Sequence, residues 1–347
     1  MALKTIIAAI AAIAAGPALA GSYTQTNLVS NGSIPAAVTD PNLVNAWGIS
    51  YSPTGDFWVS DNATGLTTLY DGSGNIVPLV VSIPAAGGST ATGSPTGQVY
   101  YAGSGFVITS GTASGPSAFM FATEDGTISG WNPSVNGTAA IVAVDNSKSN
   151  AVYKGIALYT DKSLKTSLLV ADFHNNEIDV FDDSFKLTAS FTDKTLPKGY
   201  APYNVQVLNN AIYVTYAKQD KAKHDSVSGP GLGAVEQIDI TGKILASFKH
   251  GKLNAPWGLA IAPTTFGKFG GDLLVGNFGD GRITAFTSSL KQAGQLKSSS
   301  GAPVSIDGLW GLIIGNGGQG GSASDVYFSA GPNGETEGLF GSLSYTK

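Results

Sequence analysis

The sequence predicts an all-β chain folded as a six-bladed β-propeller, and three observations predict it. First, a glycine or asparagine, usually behind an aromatic residue, opens a short apolar run six times: Trp47-Gly48-Ile49, Thr96-Gly97-Gln98, Lys154-Gly155-Ile156, Tyr203-Asn204-Val205, Trp257-Gly258-Leu259 and Trp310-Gly311-Leu312. Second, successive markers stand 49, 58, 49, 54 and 53 residues apart, which is the length of one propeller blade and not of a sandwich strand or a βαβ unit. Third, short β-branched or aromatic runs alternate with turn residues. Glycine fills 46 of 347 positions and charged residues only 12%, yet 42% of the chain is hydrophobic, too much for a disordered chain.

Residues 1–20 read as a separate module. Lys4 supplies a positive start, Ile6 to Ala15 is an apolar stretch, and Ala18-Leu19-Ala20 is a small-x-small cleavage signal, the pattern of a secretory signal peptide cut near Ala20. Residues 21–347 are then expected to form one propeller domain. Tyr23 to Ser30 is β-patterned and precedes the first marker, so this strand is expected to complete the sixth blade and close the ring. After each marker comes a second apolar run, a polar turn and a third run. Phe57 to Asn62 followed by Leu66 to Tyr70 is the first case, and Phe119 to Ile128, Ser167 to Phe181 and Asp272 to Phe286 repeat it. Asp125-Gly126 and Asp280-Gly281 are hairpin turns, because such turns need the positive φ that these residues tolerate. Blade four departs from the pattern by inserting a long polar loop, Ala217 to Gly233, between its second and third strands. Pro84 to Thr96 is a Gly/Ser/Thr-rich connection to which no function attaches. Val326 to Glu335 and Gly338 to Tyr345 end the chain as strands of the last blade.

If the four strands of a blade are lettered a to d from the axis outward, antiparallel order puts the start of strand a and the b–c turn on one face. Residues remote in sequence therefore gather at one mouth of the central channel. After Ala20 no run is apolar enough for a transmembrane helix, so the expected product is a monomer exported to the periplasm or the medium. The absence of cysteine removes disulfides, lipid anchoring and thiolate chemistry. Without the first twenty residues, 18 basic residues face 24 acidic ones with no basic stripe, which excludes nucleic acid as a partner.

The Gly-Ile/Leu-Ala phrases, with Leu168-Leu-Val-Ala-Asp172-Phe173 and Ile178-Asp-Val-Phe181-Asp182, resemble the NHL-type propeller repeat. Asp40-Pro-Asn-Leu-Val-Asn-Ala-Trp47-Gly48, the Tyr216 to Asp225 loop, Gly276 to Ile283 and Gly338-Leu-Phe-Gly341 resemble an uncharacterised family of secreted six-bladed propellers. The resemblance implies fold and export and brings no activity with it. Related propellers include metal-dependent lyases, lactonases and hydrolases as well as interaction modules. Such enzymes converge His, Glu, Asp and Asn on the channel mouth.

Several residues could act at that mouth. Trp47, Tyr203, Trp257 and Trp310 form either a ring of stacking surfaces for a sugar or other flat ligand, or hydrophobic wedges between blades. Lys154 interrupts the aromatic series, where its cation either receives an anionic group or reaches solvent. Asp61, Asp172 and Asn277 recur at the end of strand b, and His174 follows nearby. These residues either offer oxygen and nitrogen ligands to Ca²⁺ or Mg²⁺ or only shape turns. No motif requires a cofactor, and with His174 and His224 in turns but His250 elsewhere, a three-His metal ring is not expected. The blade-four loop crowds Lys218, Gln219, Asp220, His224 and Asp225 together. A His beside an Asp suits acid–base work, although the same loop also reads as a solvated, mobile connection. Glu124 and Glu335 from other b–c turns are expected partners.

Two functions follow. The expected one is binding of a small molecule, glycan or protein at this mouth. The alternative is a metal-assisted hydrolase or lyase, lactonase-like or streptogramin-lyase-like, at the same place.

Overall fold

The computed structural model describes residues 21–347; the segment read as a signal peptide, residues 1–20, lies outside the described residues. Six antiparallel sheets surround one axis. Blade 1 is Ala46–Ser50, Phe57–Asp61, Leu66–Tyr70 and Ile76–Ser82. Blade 2 is Pro95–Tyr100, Phe119–Thr123, Thr127–Trp131 and Ile141–Asp145. Blades 3 and 4 start with Tyr153–Thr160 and Tyr200–Leu208, and blade 5 with Pro256–Ile261. In blade 6 the strands Leu309–Ile314, Val326–Ala330 and Leu339–Thr346 are completed by Ser22–Ser30. That N-terminal strand pairs antiparallel along Leu339–Thr346, from Ser22 opposite Thr346 to Ser30 opposite Leu339. The predicted six blades and the predicted closure are both observed. No helix among the described residues is long and apolar enough to cross a membrane.

The repeated marker has a steric cause. Strand register breaks at the marker in every blade, for instance between Ala46 and Ile49, Tyr153 and Ile156, and Pro256 and Gly258. There the innermost strands of neighbouring blades touch. A Cβ on Gly97 would lie 2.9 Å from the Lys154 carbonyl oxygen, and one on Gly155 would lie 2.6 Å from the Asn204 Cα. Both contacts are with backbone, which cannot yield cheaply. Polar side chains carry the ring onward: Gln98 Nε2 donates to the Gly48 carbonyl at 2.9 Å, Thr96 Oγ1 to the Tyr153 carbonyl at 2.9 Å and Asn204 Nδ2 to the Trp257 carbonyl at 2.7 Å. Asn204 thus replaces a glycine without crowding, because its amide bonds to the next blade.

Apolar clusters fill the wedges between blades, with Phe57, Val59, Tyr70 and Phe340 between blades 1 and 6 and Leu169, Val205, Val214 and Ile238 between blades 3 and 4. Blade 2 holds an element that the sequence reading missed, a hairpin of Val107–Ser110 with Ala113–Pro116 between strands a and b. It accounts for the long 58-residue interval. On the face opposite the markers, Asp161, Asp182 and Asp239 each accept the backbone N–H groups two and four residues on, at 2.8–3.1 Å. This Asp-x-Ser/Thr-x-Lys turn was legible as a motif and was overlooked.

One buried acid makes the fold pH-sensitive. Glu236 on strand c of blade 4 has a fully buried side chain, with the Lys249 ammonium 3.4 Å away. Burial first, and then nearby Asp193, push its carboxyl up from 4.5 to about 7. The folded state therefore binds more protons than the unfolded chain between these values, so stability falls as pH rises from about 4.5 through about 7. The expected loss is about 3 kcal/mol. Thermal unfolding at pH 5 and pH 8 should show it, and Glu236→Gln should flatten the difference by raising Tm at pH 8. An unchanged pH slope in that variant would show that the carboxyl is not the cause.

Candidate functional site

The marker aromatics meet at the axis. Trp47 and Trp310 stack at 3.7 Å between ring centroids, and Phe278 stacks on the other side of Trp310 at 4.0 Å. Trp257 and Tyr203 meet Trp310 edge-on. Each of the four markers is at most 2% exposed. The indole faces are spent on one another, so they plug the channel and do not offer stacking surfaces to a sugar. That part of the sequence reading is corrected here, and the reason is convergence: six blades bring the rings closer together than a ligand would need.

Above the plug lies a polar cup assembled from five blades. Lys154, at the marker position of blade 3, is fully buried, and its ammonium contacts Glu124 from the b–c turn of blade 2 and stands 3.7 Å from Asp225 of the blade-four loop. The faces of Trp47 and Phe173 lie 5.0 and 6.0 Å from the same nitrogen, within range of cation–π attraction. Asn62 Nδ2 donates to Glu124 at 2.9 Å, and Asn45 Nδ2 donates to Asn62 Oδ1 at 3.1 Å and to Glu335 at 2.8 Å. Trp310 Nε1 donates to Asn45 Oδ1 at 2.9 Å, tying the cup to its floor. A buried ammonium is costly unless paired and hydrogen-bonded, and here three blades supply what it needs.

The local sequence explains the placements. Glu335 sits at φ 71°, a left-handed conformation that is uncommon for a residue with a side chain, and it is aimed at Asn45. Burial raises its carboxyl above the ordinary value. The blade-four loop is tied down at its base. Gln219 Nε2 donates to the carbonyls of Phe173 and His174 at 2.5 and 3.2 Å, Asp220 Oδ1 accepts the His224 N–H at 2.9 Å, and the Gly229 N–H reaches Asn254 at 2.6 Å. His224 Nδ1 stands 3.1 Å from Asp225 Oδ1. This contact raises the imidazole pKa and lowers that of the carboxyl.

The structure therefore brings Glu124, Lys154, His224, Asp225 and Glu335 together over Trp47, Tyr203, Trp257 and Trp310. Gln219 and Asp220 brace the loop, and Lys218 is exposed on its flank. The four residues read as metal ligands do not converge. Asp172 accepts the N–H groups of Val152 and Asn175, at 3.3 and 3.0 Å. Asn277 accepts the Asn254 N–H at 3.2 Å and donates to Lys252 and Asp280, so both serve turn geometry within their own blades. The His174 carbonyl only receives Gln219, and Asp61 faces blade 6. Two other donor sets do converge: Glu124, His224 and Asp225 at the cup, with the Lys154 ammonium already seated against two of its members, and Asp172 with Glu177 and Asp179 inside blade 3. Sequence reasoning missed Asn45 and Asn62. Asn45 stands two residues before Trp47 inside the quoted Asp40 to Gly48 phrase, which was the available signal.

The aromatic plug fills the channel beneath the cup. Hollows elsewhere include one of about 600 Å³ on the opposite face, lined by Tyr101, Leu164 and Asp183, and one of about 230 Å³ at the far end of the axis, lined by Tyr51, Gln98 and Leu158. Neither gathers more than two charged groups.

Fold and cup together define a six-bladed β-propeller with a polar axial mouth. The chain belongs to the family that includes the uncharacterised proteins L690 and R648 of Acanthamoeba polyphaga mimivirus. It is 33% identical to L690 and 32% to R648, over 94% of this chain and 87% and 82% of theirs. No protein-family model matches the chain. Among solved structures, a virginiamycin B lyase from Staphylococcus aureus superposes with a TM-score of 0.53 at 12% identity, over 93% of this chain and 99% of that one. The PQQ-bound aldose sugar dehydrogenase of Streptomyces coelicolor gives 0.51 at 12% identity, over 95% and 100%. At these identities the likeness is one of fold.

Proposed function

We infer that the protein binds a small polar ligand in the axial cup of Glu124, Lys154, His224, Asp225 and Glu335. The observation that carries this reading is the fully buried Lys154 ammonium, held between carboxylates from two other blades. An ion pair buried at such cost for stability alone would be replaced to advantage by a pair of apolar residues. Three carboxylates face one ammonium and one imidazole, and the ammonium is already paired. The unspent capacity, on Glu335 and Asp225, is therefore for accepting hydrogen bonds and positive charge. An amino sugar or another donor-rich ligand fits it. A panel of amino sugars and their oligomers screened by thermal shift should give a stabilising member whose effect falls at least tenfold in affinity on Glu335→Gln. Stabilisation by none of them, or equal stabilisation of the variant, would contradict the reading.

The His224–Asp225 pair favours a second reading, an acid–base hydrolase or lyase at the same cup. The hydrogen bond to Asp225 raises the imidazole pKa above its ordinary value, and histidine is the side chain suited to acid–base exchange. Turnover of the bound ligand that is lost in His224→Gln while binding persists would separate the two. Export as a monomer after cleavage near Ala20, and kinship with NHL-type repeats, complete the proposal.

A further inference from the structure

The geometry points to a structural calcium site at the seam between blades 1 and 6, built from Asp61 and Asp40 with the hydroxyls of Thr68 and Tyr70. Asp61 is fully buried, and neither of its carboxylate oxygens has a hydrogen-bond partner. The Thr68 hydroxyl, 1% exposed, is also without one. Thr68 is close enough for its hydroxyl and N–H to oppose the upward push of burial on the Asp61 carboxyl, yet neither meets full hydrogen-bond geometry with it. Strand pairing sets Phe57 against Tyr70, Val59 against Thr68 and Asp61 against Leu66, so Asp61, Thr68 and Tyr70 share the blade face turned to blade 6. Tyr70 donates to Asp40 Oδ2 at 2.9 Å, and Asp40, 4% exposed, also accepts the Asn42 N–H. Among the described residues, neither carboxylate forms an ion pair.

Comparison with the equivalent positions makes Asp61 the exception. Asp172 and Asn277 end the same strand in blades 3 and 5, and each accepts the N–H of a residue just before strand a. In blade 1 the turn N–H groups of Thr64 and Gly65 go to the Asp61 carbonyl instead, leaving the carboxylate free. Oxygens that share a Ca²⁺ at about 2.3–2.6 Å each need not bond to one another, and the Asp61 carboxylate and Thr68 hydroxyl do not. Carboxylates and hydroxyls in an irregular array suit Ca²⁺ over Mg²⁺, which demands near-octahedral order. Asp40 lies on the link between the closing strand and blade 1, and its N–H bonds to the Ser30 carbonyl at 2.9 Å. The ion would therefore fasten the ring at the place where the chain ends meet.

The test is thermal unfolding of the full chain in millimolar CaCl₂ and in EGTA, with bound calcium counted by atomic emission after dialysis. One calcium per chain and a rise in Tm of several degrees are expected. Asp61→Asn, which keeps the shape and removes the charge, should fold, retain no calcium and lose the shift, and Thr68→Val should weaken it. A wild-type Tm indifferent to calcium would overturn the site, as would an equal shift in Asp61→Asn.

Discussion

Lys154→Met is expected to destabilise the ring by about 3–5 kcal/mol, because it strands Glu124 without its cation inside the cup. The side chain is fully buried, so neither salt nor water can take over the partner's role. The double variant Lys154→Met/Glu124→Gln should recover most of the loss, since the neutral amide can still receive the hydrogen bond from Asn62. Chemical denaturation of the four proteins of this cycle gives the coupling directly. Coupling well above 1 kcal/mol is the signature of a desolvated pair, in contrast to the weaker coupling of exposed pairs. The stabilised double variant should also fail to bind any ligand found for the wild type, which separates the cup's function from its contribution to folding.

Removing the closing strand should have the largest effect of all. Without residues 21–31 the sheet of blade 6 loses the strand that covers Leu339–Thr346, and the buried Tyr23, Leu28 and Val29 leave their clusters. The Leu339–Thr346 strand is then an open edge available to other chains. The truncated protein is expected to lose cooperative unfolding and to aggregate, and a peptide of residues 21–40 added in trans should restore a monomeric, cooperatively unfolding ring. A truncated protein as stable as the full chain would show that closure contributes little.

Much of this architecture could be read without coordinates, because a period near 50 residues is itself the mark of a blade. The reason for the period could not. Gly97 and Gly155 are glycine because a neighbouring strand some fifty residues away leaves no room for a Cβ, and nothing local in the sequence reports that contact. The blade-2 hairpin escaped because Ala113-Ser-Gly-Pro116 has poor strand propensity and is held by its partner Val107–Ser110. At the mouth, Lys154 stood out by breaking an aromatic series, and Glu124, Glu335 and His224 by lying in b–c turns. The roles of the tryptophans depended on distances between rings, which no spacing along the chain reveals. Asn45 and Asn62 were passed over because two buried amides that together link Glu335 to Glu124 look, in sequence, like any turn asparagines.

The five tryptophans supply the most direct test of the central claim that ligand binding occurs at the axis. Trp47, Trp257 and Trp310 belong to the axial plug, whereas Trp58 and Trp131 pack between blades 1 and 2. In a ¹⁵N–¹H titration with the stabilising amino sugar, the indole signals of Trp310, which donates to Asn45, and of Trp47, which lies against Lys154, should move together while those of Trp58 and Trp131 stay still. Movement of Trp58 or Trp131 with the axial signals unchanged would place binding elsewhere and contradict the account.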